Sequence, residues 1–384
     1  MAMMMSLTAL SIDAMLPALP IIGAELGVQH PNDNHLIISA LFLGISIGQF
    51  FYGPISDSVG RKKPLYVGLI IFLLGTTIAL LSSSFKLMLI GRWLQGFGLA
   101  SPRTVSVAMI RDQYEGRKMA QTMSFIMMIF ILVPTIAPAL GQCILLFFDW
   151  RYIFVFFFLM ALFNLSWFYS RMHETLTPSA RKPFSIRRIA QGFREVLKHK
   201  VALSYIITAG LISAPFIAFL NISQQLFQVQ YNLGAQFPLY FACIALTFGL
   251  ASLFNARMVL KHGMQKMITT AVLCLVSLAL LMAVYLYYST TELSLFYCMC
   301  YLLTTLFCEG ILFANLNSLA MQPLGHIAGI AAALVGALST LISVLIGTFI
   351  SAQYQLSLEP IVFGFLICGI LSSGLIFWVE AHRQ

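Results

Sequence analysis

Four ionisable side chains stand well inside apolar stretches of this 384-residue chain: Asp13, Arg92, Arg103 and Glu309. A charge in such surroundings costs several kcal/mol unless it faces a cavity, meets a partner or is neutralised. Carboxyls at 13 and 309 can bind and release protons. Guanidiniums at 92 and 103 can pair with a carboxylate or hold an anionic group. The separation of eleven residues from Arg92 to Arg103 turns a helix by about 1100°, so both arginines point to one face and mark a polar path. Gly96, on or near that face, lets another helix approach closely. Counted at about 1.5 Å per residue, Arg103 is nearer in depth to Asp13 than Arg92 is, and a long side chain could reach from either position. Glu309 is followed by Asn315 and Asn317, and a carboxyl there could carry a proton or hold a cationic substrate group.

The elements that must position these groups are membrane helices. Of the residues, 60% are hydrophobic and 9% charged, far from the roughly 25% charged of a soluble domain. Apolar runs long enough to cross a bilayer as helices follow one another, and they lack the alternation of a transmembrane barrel. Twelve spans are expected, near 3–23, 36–56, 65–82, 87–110, 119–146, 152–170, 201–225, 237–258, 267–288, 294–320, 328–350 and 360–380. With both ends on one side, loops on that side hold 18 of the 22 Lys and Arg, among them Arg61, Lys62, Lys63, Arg111 and Arg383. The positive-inside rule then predicts cytoplasmic termini, and it accounts for the net charge of +9 without nucleic-acid binding. No Lys or Arg precedes the first apolar stretch, which speaks against a cleaved leader.

All seven cysteines fall within spans and none forms a CxxC pair, so a metal is not expected. The seven histidines sit in loops or at span ends and form no ligand pair or triad, which argues against an enzyme. No phosphate-binding loop of the G-x-x-x-x-G-K-S/T type is present, so ATP is not the expected energy source.

Between the second and third spans runs Gly53-Pro54-Ile55-Ser56-Asp57-Ser58-Val59-Gly60-Arg61-Lys62-Lys63, too charged to lie in hydrocarbon. Asp57 and Arg61 can pair if the helix continues into the turn. This stretch resembles the G-x-L-x-D-R-x-G-R-R/K loop of the major facilitator superfamily, with Ile55 for Leu and Ser58 for the Arg after the acid. Asp13, Pro17 and Pro20 resemble the D-x-x-x-P-x-x-P pattern of its drug:proton antiporter branch. Arg92, Gln95 and Gly96 resemble the second motif, R-x-x-Q-G. Pro134, Pro138 and Gly141 resemble the fifth-helix antiporter motif G-P-x-x-G-G, with Ala137 and Gln142 replacing two glycines. Asp149-Trp150-Arg151 opens a W-R-x-I-F pattern common in the superfamily. An echo of Ser106–Met109 in Ser318–Met321, and of the opening loop in Asn255–Lys266, suggests two six-helix repeats.

Together these motifs resemble the Bcr/CflA-type drug:proton antiporters, a subfamily of the superfamily. The resemblance implies an all-α protein of two six-helix bundles, 1–170 and 201–384, joined by a cytoplasmic linker, 171–200, with an amphipathic piece over 186–197. It implies a monomer in the bacterial inner membrane that exchanges small amphipathic molecules, such as antibiotics or metabolites, for protons, with no cofactor beyond the proton gradient. Asp13 would carry the proton beside Arg92. Arg103, Asn221, Gln224, Asn315 and Asn317 would line the substrate cavity. Asp112 would join Gly53, Asp57, Gly60 and Arg61 in a conformational latch. The half-missing glycines of the fifth span leave open a proton-coupled importer or facilitator of the same fold.

Overall fold

In the computed structural model the described residues are 1–384 apart from 115, 182, 184, 290–292 and 382–384. Within helices and turns the side chains at 116, 117, 119–121, 123–131, 180, 186, 188 and 328 are also not described. Lys182, His382 and Arg383, counted in the sequence patterns, thus lie outside the described residues.

The described chain forms α-helices joined by short turns and contains no strand among these residues. Its helices are α1 (Ala2–Asp13), α2 (Leu19–Glu25), α3 (Leu36–Val59), α4 (Lys62–Leu80), α5 (Phe85–Gln113), α6 (Gly116–Phe147), α7 (Arg151–Arg171) and α8 (Ile186–Lys198). There follow α9 (Lys200–Gln224), α10 (Phe237–His262), α11 (Met264–Tyr288), α12 (Leu295–Met321), α13 (Ala328–Ala352) and α14 (Glu359–Ala381). Among the described residues ten helical segments are long and apolar enough to cross a membrane, and α1 with α2 counts as one of them. Helix α5 is not among the ten despite its 29 residues, because Lys86, Arg92, Gln95, Arg103, Arg111 and Asp112 dilute its apolar content. Of α6, the part Leu132–Phe147 is a shorter apolar segment. Large apolar side chains such as Leu74, Phe163, Leu253, Leu281, Phe349 and Ile367 stand exposed on outer helix faces, the surface a bilayer covers.

The chain divides into two compact units, one of residues 1–195 with 326–337 and one of 196–325 with 338–384. The amphipathic helix α8 and the first turns of α13 therefore belong with the first unit. In that unit α5 packs against both α3 and α4, and α1 packs against α5, α6 and α7. A methyl group at Gly96 would overlap the Leu41 carbonyl, so the close approach of α5 to α3 requires glycine there. Where α7 begins, Glu25 accepts from Trp150 Nε1 at 2.5 Å and Arg151 Nη1 at 2.7 Å, tying α2 to α7. The Arg151 guanidinium lies 4.2 Å from the centre of the Trp150 ring.

In the second unit α9 packs against α12 and α14, and α12 also meets α10 and α11. Gly60 after α3 and Gly263 after α10 both take positive φ, +97° and +79°, so the repeated loop keeps its backbone turn in both halves. Its charges are not repeated. Asn255, placed by the echo where a latch acid might stand, instead lies within α10 and bonds Asn315 of α12.

Candidate functional site

Asp13 is the last residue of α1, and the helix breaks directly after it. Pro17 stands four residues on, where an N–H would have bonded the Asp13 carbonyl, and Pro20 does the same to Leu16. A 3-10 turn over Leu16–Ala18 bridges to α2. The D-x-x-x-P spacing thus places the acid at the break it creates, a cause that could have been read from the sequence. The carboxyl is 5% exposed and has no hydrogen bond or ion pair among the described residues. Helix α6 closes over this break: a methyl at Gly141 would overlap the Ala14 carbonyl. Pro134 and Pro138 lie inside α6, which continues through both.

Arg92 is fully buried and reaches the same break, but it does not pair with Asp13. Its Nη2 donates to the Ser11 carbonyl at 2.9 Å, Nε to the Ile37 carbonyl at 3.2 Å and Nη1 to Gln95 Oε1 at 2.9 Å. Gln95 in turn donates to Thr76 Oγ1 at 2.8 Å. One guanidinium thereby links α1, α3 and α5, with α4 joined through Gln95. Only the Arg92–Gln95 contact was legible in the R-x-x-Q spacing, because the backbone carbonyls of α1 and α3 carry no sequence signature. Arg103 is half-buried, with no hydrogen bond or ion pair among the described residues.

The charged loop closes as its residue types suggest. Arg61 is 5% exposed; its Nη1 bonds Asp57 Oδ1 at 2.5 Å and Ser56 Oγ at 2.9 Å. Its Nε and Nη2 hold the two oxygens of Asp112 at 2.8 and 3.3 Å. Burial opposes the charge on Arg61, but the two carboxylates outweigh it and hold the guanidinium above its ordinary value. Gly60 supplies the positive φ that turns α3 into α4. Gly53 and Asp57 face the first turns of α13: methyl groups at Gly53 and Gly329 would come within 2.8 Å of Ala333 Cβ and 2.6 Å of Asp57 Oδ2, respectively.

Sequence reasoning missed Glu174. Its carboxylate accepts from the backbone N–H groups of Arg61 at 2.8 Å and Lys62 at 3.2 Å, the free donors where α4 begins. The unfilled N-terminus of α4 was the available signal. Burial raises the Glu174 proton affinity, but the N–H groups of Arg61, Leu176 and Lys62, with Arg181 nearby, outweigh it and hold the carboxyl below its ordinary value of 4.5. The stability it adds is complete above that value and fades as pH falls through the lower folded value. Glu174→Gln is expected to flatten this acid-side loss of thermal midpoint; an unchanged pH slope in purified protein would refute the role.

In the second unit the polar candidates separate. Asn315 and Asn255 bond each other, Nδ2 to Oδ1, at 2.7 and 3.4 Å, both buried. Asn315 therefore ties α12 to α10. Asn317 bonds its own helix at the Phe313 carbonyl, 2.8 Å, and so spends its amide locally. Asn221 donates to Ser351 Oγ at 3.1 Å and Gln224 to Gln228 Oε1 at 3.0 Å, both nearly buried. The Asn221–Ser351 bond joins α9 to α13, whereas Gln224 and Gln228 stand four residues apart on one continuous helical segment. Glu309 is 1% exposed, and its Oε2 has no hydrogen-bond partner among the described residues.

The family model of the Major Facilitator Superfamily matches residues 1–348. The chain is 28% identical over 360 residues to the MFS-type transporter YdgK of Bacillus subtilis (strain 168), covering 91% of this chain and 87% of that protein. It is 26% identical over 365 residues to the bicyclomycin resistance protein homolog of Haemophilus influenzae, covering 94% and 90%. With the multidrug resistance protein MdtL of Shigella flexneri it shares 28% over 382 residues, covering 97% and 92%. The human organic anion transporter MFSD10 has the same fold, with TM-score 0.71 at 20% identity over 100% of this chain and 97% of that one. So does the xylose transporter XylE from E. coli, with TM-score 0.74 at 12% identity over 100% and 96%. With its helical fold and its Arg61 loop, this chain belongs to the Major Facilitator Superfamily and is a multi-pass membrane transporter.

Proposed function

We propose that this protein is a proton-coupled exporter that exchanges small amphipathic molecules, such as antibiotics or metabolites, for protons. The observation that carries the reading is the Asp13 carboxyl, buried at the break between α1 and α2 without a partner among the described residues, two residues from the carbonyl that Arg92 holds. The names of two relatives, a bicyclomycin resistance protein homolog and a multidrug resistance protein, support the substrate class.

The two six-helix halves give alternating access. Facing the cytoplasm with Asp13 ionised, the cavity admits substrate, and Arg103 offers an anchor for an anionic or acceptor group. Facing the other side, a proton neutralises Asp13, substrate leaves and the cycle resets. Proton and substrate need not touch; each shifts the equilibrium by its differential affinity for the two states. Asp57, Arg61 and Asp112, capped by Glu174, latch the cytoplasmic ends and favour the outward-facing state. The proton gradient is the energy source, the protein acts as a monomer, and both termini lie in the cytoplasm of a bacterial inner membrane.

Everted membrane vesicles energised by respiration test the direction. Adding a substrate from a panel of antibiotics and fluorescent amphipathic dyes is expected to release part of the proton gradient while that compound accumulates inside the vesicles. Gradient-driven loss of the compound from the vesicle interior would instead establish the importer.

A further inference from the structure

Helix α12 carries a polar face that the Asp13 cycle does not use. Tyr301, Thr305 and Glu309 recur every four residues, so successive members stand one turn apart, rotated by about 40°. All three are buried, at 4%, 0% and 1% exposure. The helices packed against α12 are α9, α10 and α11, and Phe365 of α14 meets the Tyr301 ring; the charged groups of α14, Glu359 and Glu380, lie at its two ends. On α9, α10 and α11 the cations Lys200, Arg257, Lys261 and Lys266, with the His262 imidazole, are exposed at or near the helix ends, about 18 Å of helix below Glu309 if counted along α12 to Met321. The other titratable side chains on these helices are neutral tyrosines and cysteines, the buried Tyr205 among them. No cation pairs with Glu309 among the described residues. An ionised carboxylate there would stand without counter-charge in a packed interior.

The face also has a direction. Helical side chains lean toward the N-terminus of their helix, so Glu309 leans toward the Thr305 turn and Thr305 toward Tyr301, while Tyr301 Oη, Thr305 Oγ1 and Glu309 Oε2 make no hydrogen bond among the described residues. Beyond Tyr301 lies the buried thiol of Cys298, in contact with the Tyr231 hydroxyl. Tyr231 donates to the Leu293 carbonyl at 2.9 Å, and Tyr354, close to the same thiol, donates to Gln230 Oε1 at 2.7 Å. Groups that can both donate and accept therefore follow α12 from its start down to Glu309.

We propose that Glu309 is a second proton-binding site, separate from Asp13, which loads along the Tyr301–Thr305 face from the end of the unit where α12 begins. Its part in transport rests on the antiport reading, and it would give each cycle two titrating carboxyls, one in each unit. The proton binding itself does not depend on that reading.

Infrared difference spectra of the protein in liposomes, recorded as a function of pH in potassium buffer, test this without any substrate. The wild type is expected to show two protonated-carboxyl bands that D13N and E309Q remove one at a time. E309D is expected to shift the second band rather than lose it, which separates titration from misfolding. Y301F combined with T305V is expected to keep that band but slow its shift after transfer to deuterated water. A second band that persists in E309Q overturns the proposal. So does one that sodium abolishes at constant pH, which would mark a metal-cation site. If gradient-driven transport fails in the wild type while the Glu309 band behaves as described, the second site stands and the antiport reading falls.

Discussion

Asp13→Asn is expected to abolish proton-driven accumulation of every substrate while leaving substrate binding and passive exchange intact. The substitution keeps the shape of the side chain and removes only its ability to change charge. No partner is lost, because the carboxyl has none among the described residues. Thermal stability is therefore expected to hold or rise slightly, since a buried ionisable group is replaced by a neutral one. The Arg92 anchor bonds the Ser11 carbonyl rather than the acid, so the packing of α1 on α5 survives. Reconstituted vesicles give the measurement: gradient-driven uptake should fall to background, at least about tenfold, while exchange of labelled for unlabelled substrate continues without dependence on pH. Full gradient-driven uptake by the variant would remove Asp13 from the mechanism.

Arg61→Ala is expected to be the most destabilising single change in the first unit. It leaves Asp57 and Asp112 facing each other without the cation between them, at 25% and 17% side-chain exposure. Breaking a buried pair costs about 3 to 5 kcal/mol, and the residual exposure of the two acids places this case near about 3. Arg61→Lys should recover only part of that loss. A single ammonium cannot hold both oxygens of Asp112 and also reach Asp57 and Ser56. The same change should lower transport, because the latch no longer favours the outward-facing state. Thermal unfolding of the purified variants checks the first effect; equal midpoints for wild type and Arg61→Ala would show that the cluster is a solvated loop face.

Much of this was legible before any coordinates. Composition and apolar runs specify membrane helices, because a chain with so few charges has no other way to satisfy its backbone in lipid. Local spacing was equally informative: Pro17 and Pro20 break the helix after Asp13, Asp57 meets Arg61 one turn on, and Arg92 meets Gln95. Each contact spans four residues or fewer: helical geometry dictates the proline breaks and the Arg92–Gln95 contact, whereas Asp57 meets Arg61 across the turn at Gly60, after α3 has ended. Long-range partners were not legible. Depth along the helices could not say whether Arg92 or Arg103 would reach Asp13, and the fold leaves the acid unpaired, because Arg92 spends its donors on the Ser11 and Ile37 carbonyls.

The same division runs through the second unit and the latch. Asn315 and Asn317 look alike in sequence, two residues apart, and each bonds the carbonyl four residues back on its own helix, yet a helix turns about 200° between them, so Asn315 and not Asn317 also meets Asn255. Glu174 lies 113 residues from the Arg61 amide it caps, a distance no local pattern spans. Residue type and spacing thus settled which groups can carry charge and where the helices bend. Packing settled which of those groups found partners, because an interior contact depends on which helices meet and on which face, and for Asp13 and Glu309 that packing supplied none among the described residues.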